Sequence, residues 1–166
     1  IRLDRPVPLD QGVTVELDLR MEITRDVHQN FGLCLNDRKR PEQEASPEEF
    51  IPHRVCLLYP AVEFEKRNLL EFSLNTIPGI SQRVMVPKGP SGSDWTHIAI
   101  QVRADGEVSL IVNHDLVLTN EVVIDTEPAG EWVVELNADA LGTDIFVKDL
   151  TVWREVRYAP PGTLHP

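Results

Sequence analysis

From Val13 to Thr24 the chain alternates strictly between apolar and polar residues. Val13, Val15, Leu17, Leu19, Met21 and Ile23 are set against Thr14, Glu16, Asp18, Arg20, Glu22 and Thr24. A period of two held over that length describes an extended strand with one dry and one wet face, because successive side chains of a strand point to opposite sides. Such a strand cannot bury its dry face alone, so the chain must supply partners with the same patterning. Ile98, Ile100 and Val102 alternate with Ala99, Gln101 and Arg103, and Val108, Leu110 and Val112 follow after Ala104-Asp105-Gly106. Asp-Gly between two such runs marks a hairpin, since glycine tolerates the positive φ of a tight turn. Further strand-like runs are Phe31 to Leu35, Arg54 to Tyr59, Leu69 to Thr76, Ser81 to Val86, Leu116 to Leu118, Trp132 to Asn137 and Ile145 to Trp153. About ten strands patterned on one side require two sheets packed face to face, or one closed sheet.

The expected fold class is therefore all-β, with at most one helical turn. Ser46-Pro47-Glu48-Glu49 carries a capping-box pattern, with Ser46 as N-cap and Pro47 at the first helical position, and Pro52 stops it. A length of 166 residues suits one domain, and a 42% hydrophobic share is enough for its core. No repeat or linker divides the chain, so one domain is expected over residues 1–158, followed by an extended tail over 159–166. The 16 Lys and Arg stand against 27 Asp and Glu, a net charge of −11, which argues against nucleic acid because phosphate backbones are neutralised by clustered cations. No apolar run approaches the ~18 residues of a membrane helix. The sequence starts at Ile1 rather than Met, which leaves open a removed leader or an N-terminal anchor before it.

The segment Trp95-Thr96-His97-Ile98-Ala99-Ile100-Gln101-Val102, with Ala104-Asp105-Gly106 and Val108-Ser109-Leu110-Ile111-Val112-Asn113 after it, resembles a hairpin of the concanavalin A-like lectin/glucanase superfamily. The likeness is greatest to the laminin G-like and pentraxin-like branches. Ile145-Phe146-Val147-Lys148-Asp149-Leu150-Thr151-Val152-Trp153-Arg154 is similar to the closing strand of the same domains, and the two motifs fall in the same order. The resemblance implies a jelly-roll sandwich of two curved antiparallel sheets, which the strand count independently allows. It departs at the second turn, where Asn113-His114-Asp115 replaces the usual Asp-Gly or Asn-Gly. A looser turn is expected there, with His114 exposed at its tip.

Catalytic chemistry finds little support. Glycosidases of this superfamily carry carboxylates at alternate positions of one strand, and retaining hydrolysis needs two carboxyls about 5 to 5.5 Å apart. Glu16, Asp18 and Glu22 approach that pattern, but at roughly 3.4 Å per residue Glu16 and Glu22 stand ~20 Å apart and Asp18 and Glu22 ~13 to 14 Å apart. Ser91-Gly92-Ser93 lies in a Pro- and Gly-rich loop and lacks a nucleophile elbow. His28, His53, His97, His114 and His165 show no i, i+2 or i, i+4 pairing, so no transition-metal site is expected. No cofactor is expected. Calcium is the one cation the oxygen-rich loops leave open, at Asp26 with Asn30, Asn113 with Asp115, or Asp139 with Asp144. Trp95, Trp132 and Trp153 lie in or beside strands, and packing is expected of them before sugar stacking.

Two features remain. Cys34 and Cys56 each lie in an apolar strand-like run, where they either face each other across neighbouring strands as a disulfide or sit as two buried free thiols. The loop from Asp37 to Pro52 carries Arg38, Lys39 and Arg40 and then Glu42, Glu44, Glu48 and Glu49, an insertion longer than a hairpin needs. Arg38, Lys39 and Arg40 are a basic handle on an acidic protein and the candidate docking residues. The leading expectation is thus a non-catalytic extracytoplasmic (periplasmic or extracellular) interaction module with protein partners, an accessory subunit or docking domain of a larger, membrane-associated assembly. The alternative is a carbohydrate-binding lectin-like module that takes a glycan, and the third reading is a divergent glycoside hydrolase.

Overall fold

The alternation becomes ten antiparallel strands in a computed structural model that describes residues 1–23, 30–37, 54–60, 69–77, 80–87, 94–124, 131–139 and 143–158. The strands are β1 (Val13–Ile23), β2 (Asn30–Asp37), β3 (Arg54–Pro60), β4 (Leu69–Ile77), β5 (Ile80–Pro87), β6 (Thr96–Val102), β7 (Glu107–Val112), β8 (Asp115–Val123), β9 (Trp132–Asp139) and β10 (Thr143–Trp153). They form two five-stranded sheets, ordered β10-β1-β6-β7-β8 and β5-β4-β3-β2-β9. The all-β sandwich expected from the patterning is the fold.

The dry face of β1 explains the packing. Val13, Val15, Leu17 and Leu19 are fully buried with Ile98, Ile100 and Val102 of β6, and they meet Phe31, Leu33 and Leu35 of β2 in one core. Side chains of this kind each contribute roughly 1.5 to 3 kcal/mol when fully buried. Trp132, at 2% exposure, belongs to that core. Ahead of β1, residues 1–7 run along the edge of β9, with Leu3 N donating to Val134 O at 2.9 Å and Leu136 N donating to Ile1 O at 2.7 Å. This segment covers an edge that would otherwise leave a row of unpaired backbone groups.

Two hairpins shape the first sheet. Between β6 and β7, Arg103 N donates to Glu107 O at 2.9 Å and Gly106 takes φ +87°, a three-residue loop closed by the glycine. Between β7 and β8 the expectation of a loose turn is corrected. Val112 pairs with Asp115, so Asn113 and His114 alone make the loop, with φ of 51° and 68°. Positive φ at both central residues is the signature of a tight type I′ hairpin, and Asn and His tolerate that region better than most residues. The turn is pinned to β6, since Asn113 N donates to His97 O at 2.8 Å and His97 N donates to Asn113 Oδ1 at 3.2 Å.

In the second sheet Cys34 and Cys56 stand directly opposite each other on β2 and β3 and are joined in a disulfide. Both point away from the shared core, because their neighbours Leu33, Leu35, Val55 and Leu57 occupy it. The Asp37 to Pro52 loop with Arg38, Lys39 and Arg40, the helical turn at Ser46, and the 159–166 tail lie outside the described residues.

Candidate functional site

Since the apolar residues of β1 face the core, its polar residues face outward, and the register aligns them with neighbours into rows across the sheet. Trp153, Thr14, Gln101, Ser109 and Thr119 form one row over β10, β1, β6, β7 and β8. Thr151, Glu16, Ala99 and Ile111 form the next. Lys148, Asp18 and His97 form the third, and Phe146 and Arg20 begin a fourth, with Trp95 just before β6.

The chain leaving β10 crosses this outer face as a strap, Glu155 to Tyr158. Thr14 Oγ1 donates to Glu155 O at 2.8 Å. Gln101 Oε1 accepts from the backbone N of Arg157 at 2.9 Å and of Tyr158 at 2.8 Å, while its Nε2 donates to Tyr158 O at 2.7 Å. The Arg157 guanidinium lies 4.0 Å over the Trp153 ring. Gly12, at φ +86°, lets Val156 pack close, since a Cβ there would stand 2.8 Å from Val156 Cγ2. Under the strap Thr14 and Gln101 are buried polar groups at 0% and 2% exposure, and both have partners.

The strap ends in a polar cluster. Tyr158 OH donates to Glu16 Oε2 at 2.9 Å and lies 2.9 Å from His97 Nε2 and 3.4 Å from His114 Nδ1. His97 Nδ1 faces Asp18 Oδ1 at 3.1 Å, and the His97 and His114 rings stack with centroids 4.0 Å apart. Trp153 Nε1 donates to the other oxygen of Glu16 at 2.6 Å. Burial pushes the Tyr158 hydroxyl up to about 12, helped by its bond to Glu16 and the charge of that carboxylate. His114 is exposed at the turn tip as the sequence implies, yet its ring is committed to this stack, a contact that long-range register alone creates.

The cluster does not build a metal centre. Among the described residues no three His, Cys, Asp or Glu side chains converge on one point. His97 Nε2 and His114 Nδ1 both turn toward the Tyr158 hydroxyl, while His97 Nδ1 is taken by Asp18. Of the oxygen pairs considered for calcium, Asn113 Oδ1 is taken by His97 N, and the side chains of Asp26, Asn30 and Asp139 lie outside the described part, as do His28, His53, His165 and Ser91 to Ser93. Glu16 has both oxygens occupied as acceptors, Asp18 is shared between His97 and Lys148 at 3.4 Å, and the Glu22 side chain is outside the described part.

Beside the strap the same face opens into a groove of about 520 Å³, lined by Gln11, Gln101, Arg103, Glu107, Ser109 and Thr119 among others, with Leu116 and Val156 supplying apolar surface and Tyr158 an aromatic edge. Arg103 Nε is held between Asp105 at 3.7 Å and Glu107 at 3.8 Å, so one wall carries fixed charges of both signs. A few oriented polar groups with some apolar surface in a cavity of several hundred Å³ suit a small polar ligand. Composition could not reveal this groove, because its residues come from four separate stretches of chain. The signal that could have pointed to it is the polar alternation Gln101, Arg103 and Glu107, Ser109 around the Asp105-Gly106 hairpin.

Scans against protein-family models and curated proteins give no match. Solved structures do match. The carbohydrate recognition domain of Emp46p in its potassium-bound form aligns with a TM-score of 0.67 at 10% identity, covering 94% of this chain and 77% of that one. A legume lectin-like domain from Entamoeba histolytica aligns at 0.58 and 14% identity, over 95% and 76% of the two chains. An alginate lyase from Pseudomonas aeruginosa aligns at 0.60 and 15% identity, over 90% and 68%. Identities this low speak to fold alone. The chain has the concanavalin A-like jelly-roll fold, as the hairpin and closing-strand motifs imply.

Proposed function

We propose that this protein is a non-catalytic carbohydrate-binding module whose ligand lies in the groove beside the strap. The observation that carries the reading is the groove itself, on the outer face of a sandwich whose structural neighbours include lectin-like domains. Gln11, Thr119, Glu107 and Arg103 offer donors and acceptors in the mix that sugar hydroxyls require, and Leu116 and Val156 can meet the apolar face of a ring. Against a hydrolase stands the commitment of Glu16 to Trp153 and Tyr158, each of which donates to one of its oxygens and ties the carboxylate to the strap rather than to the groove. The docking-domain reading gains nothing comparable, because its basic residues Arg38, Lys39 and Arg40 lie outside the described part. Extracytoplasmic residence is part of the proposal and is supported by the Cys34–Cys56 bridge, since such bonds persist in oxidising compartments.

A screen against a broad panel of immobilised glycans tests the reading. Retention on a defined subset of glycans supports it, and silence across the panel removes it.

A further inference from the structure

β10 is an edge strand of the first sheet, with β1 on one side and no described strand on the other. A bulge divides it. Glu16 pairs with Thr151 and Asp18 with Lys148, so Asp149 and Leu150 together oppose Leu17, and Asp149 takes φ +55°. The bulge limits regular pairing on the open side to Thr143 through Lys148. That half is the part of the edge with exposed apolar side chains, Phe146 at 36% and Val147 at 37%.

The order of residues there is self-complementary. If a second copy lies antiparallel along this edge, centred on Phe146, then Asp144 of each copy faces Lys148 of the other, Ile145 faces Val147, and Phe146 faces itself. The alternation puts Asp144, Phe146 and Lys148 on the outer face, so the two ion pairs flank the two stacked rings. Ile145, which packs against the core, meets the half-exposed Val147 on the opposite face. A shift of the centre to Ile145 or Val147 places a charged residue opposite Phe146 instead and forfeits both ion pairs. Lys148, whose side chain is 44% exposed, has Asp18 at 3.4 Å, the more distant Asp149 at 4.0 Å and the Trp95 ring at 4.5 Å on its own chain, and its exposed side can meet a further carboxylate.

We propose that the chain self-associates through β10, pairing Asp144–Lys148 with the same segment of a second copy in one continuous ten-stranded sheet. The two-fold axis stands perpendicular to the sheet, as antiparallel pairing within one sheet demands, so both outer faces look the same way. The interface is short and falls in the weak class, below about 1,200 Å². Its use follows from that geometry: two grooves presented on one side raise apparent affinity for a repetitive surface without any new contact at either groove. The association itself does not depend on what the groove binds.

Sedimentation equilibrium over about 1 to 500 μM reads the association. A concentration-dependent dimer is expected, weakened about tenfold or more by Asp144→Lys, which sets like charges together twice across the axis. Phe146→Cys tests the register with no change of charge in the fold. Cys34 and Cys56 are already bridged, so its thiol is the one available, and across the axis it falls within disulfide reach of its own copy. Covalent dimer under mild oxidation by Phe146→Cys, and not by Thr151→Cys beyond the bulge, is the expected result. A monomer throughout the range, a dimer indifferent to Asp144→Lys, or equal cross-linking by both cysteine variants would overturn the proposal.

Discussion

Gln101 holds Tyr158 as a neighbouring strand would: its Oε1 accepts from Tyr158 N at 2.8 Å and its Nε2 donates to Tyr158 O at 2.7 Å. A side-chain amide thus replaces a peptide group and fastens the strap to the middle of the sheet. Replacing Gln101 by Leu keeps much of the volume and strips Tyr158 N of its partner. The expected loss is about 1 to 3 kcal/mol, the cost of leaving a shielded donor unsatisfied. Urea unfolding measures it, and hydrogen exchange should show the Arg157 and Tyr158 amides losing protection while β6 keeps its own. Unchanged exchange at those two amides would mean that Gln101 does not hold the strap.

The Tyr158 hydroxyl gives a pH signature. Its value is raised from the ordinary 10.0 to about 12 in the folded state, so between those limits the folded chain binds more protons than the unfolded one. The stabilisation is complete below pH 10, falls as pH rises toward about 12, and changes no further above that. Melting temperatures across this window should decline more steeply in the parent than in Tyr158→Phe, which has no hydroxyl to ionise. Parallel declines would show that Tyr158 titrates alike in both states.

The Cys34–Cys56 bridge closes a loop of 22 residues' separation, for which the chain-entropy relation gives about 3 kcal/mol. Denaturant unfolding with and without reductant should differ by that order. Thiol titration of the unfolded, unreduced protein should find no free thiol, and finding two would withdraw the residue-level support for an oxidising compartment.

The fold was readable because β1 states its two faces residue by residue: one set of alternate positions became core and the other became the outer face. The hairpin at Asp105-Gly106 was readable for an equally local reason, the glycine's positive φ. The turn at Asn113-His114 was misread because it lacks glycine. Its tightness comes from the ladder on both sides and from Asn113 bonding back to His97, neither of which is local in sequence. The strap was invisible for the same reason. Nothing in Glu155 to Tyr158 marks it as anything but the end of a strand, and its partners Thr14, Glu16, His97 and Gln101 lie far back in the chain. Glu16 and Asp18 stand in the sequence as carboxylates in series, but their partners Trp153, Tyr158 and His97, which fix what they can do, are set by register.

The carbohydrate reading is tested most directly by calorimetric titration of the parent and Thr119→Trp with a glycan retained by the parent. Thr119 is an exposed residue on the groove wall, so an indole there fills the cavity without entering the core. The account predicts saturable binding to the parent and a loss of tenfold or more, about 1.4 kcal/mol, in the variant at an unchanged melting temperature. Equal affinity in the two proteins would place the sugar elsewhere on the molecule and contradict the assignment of this groove.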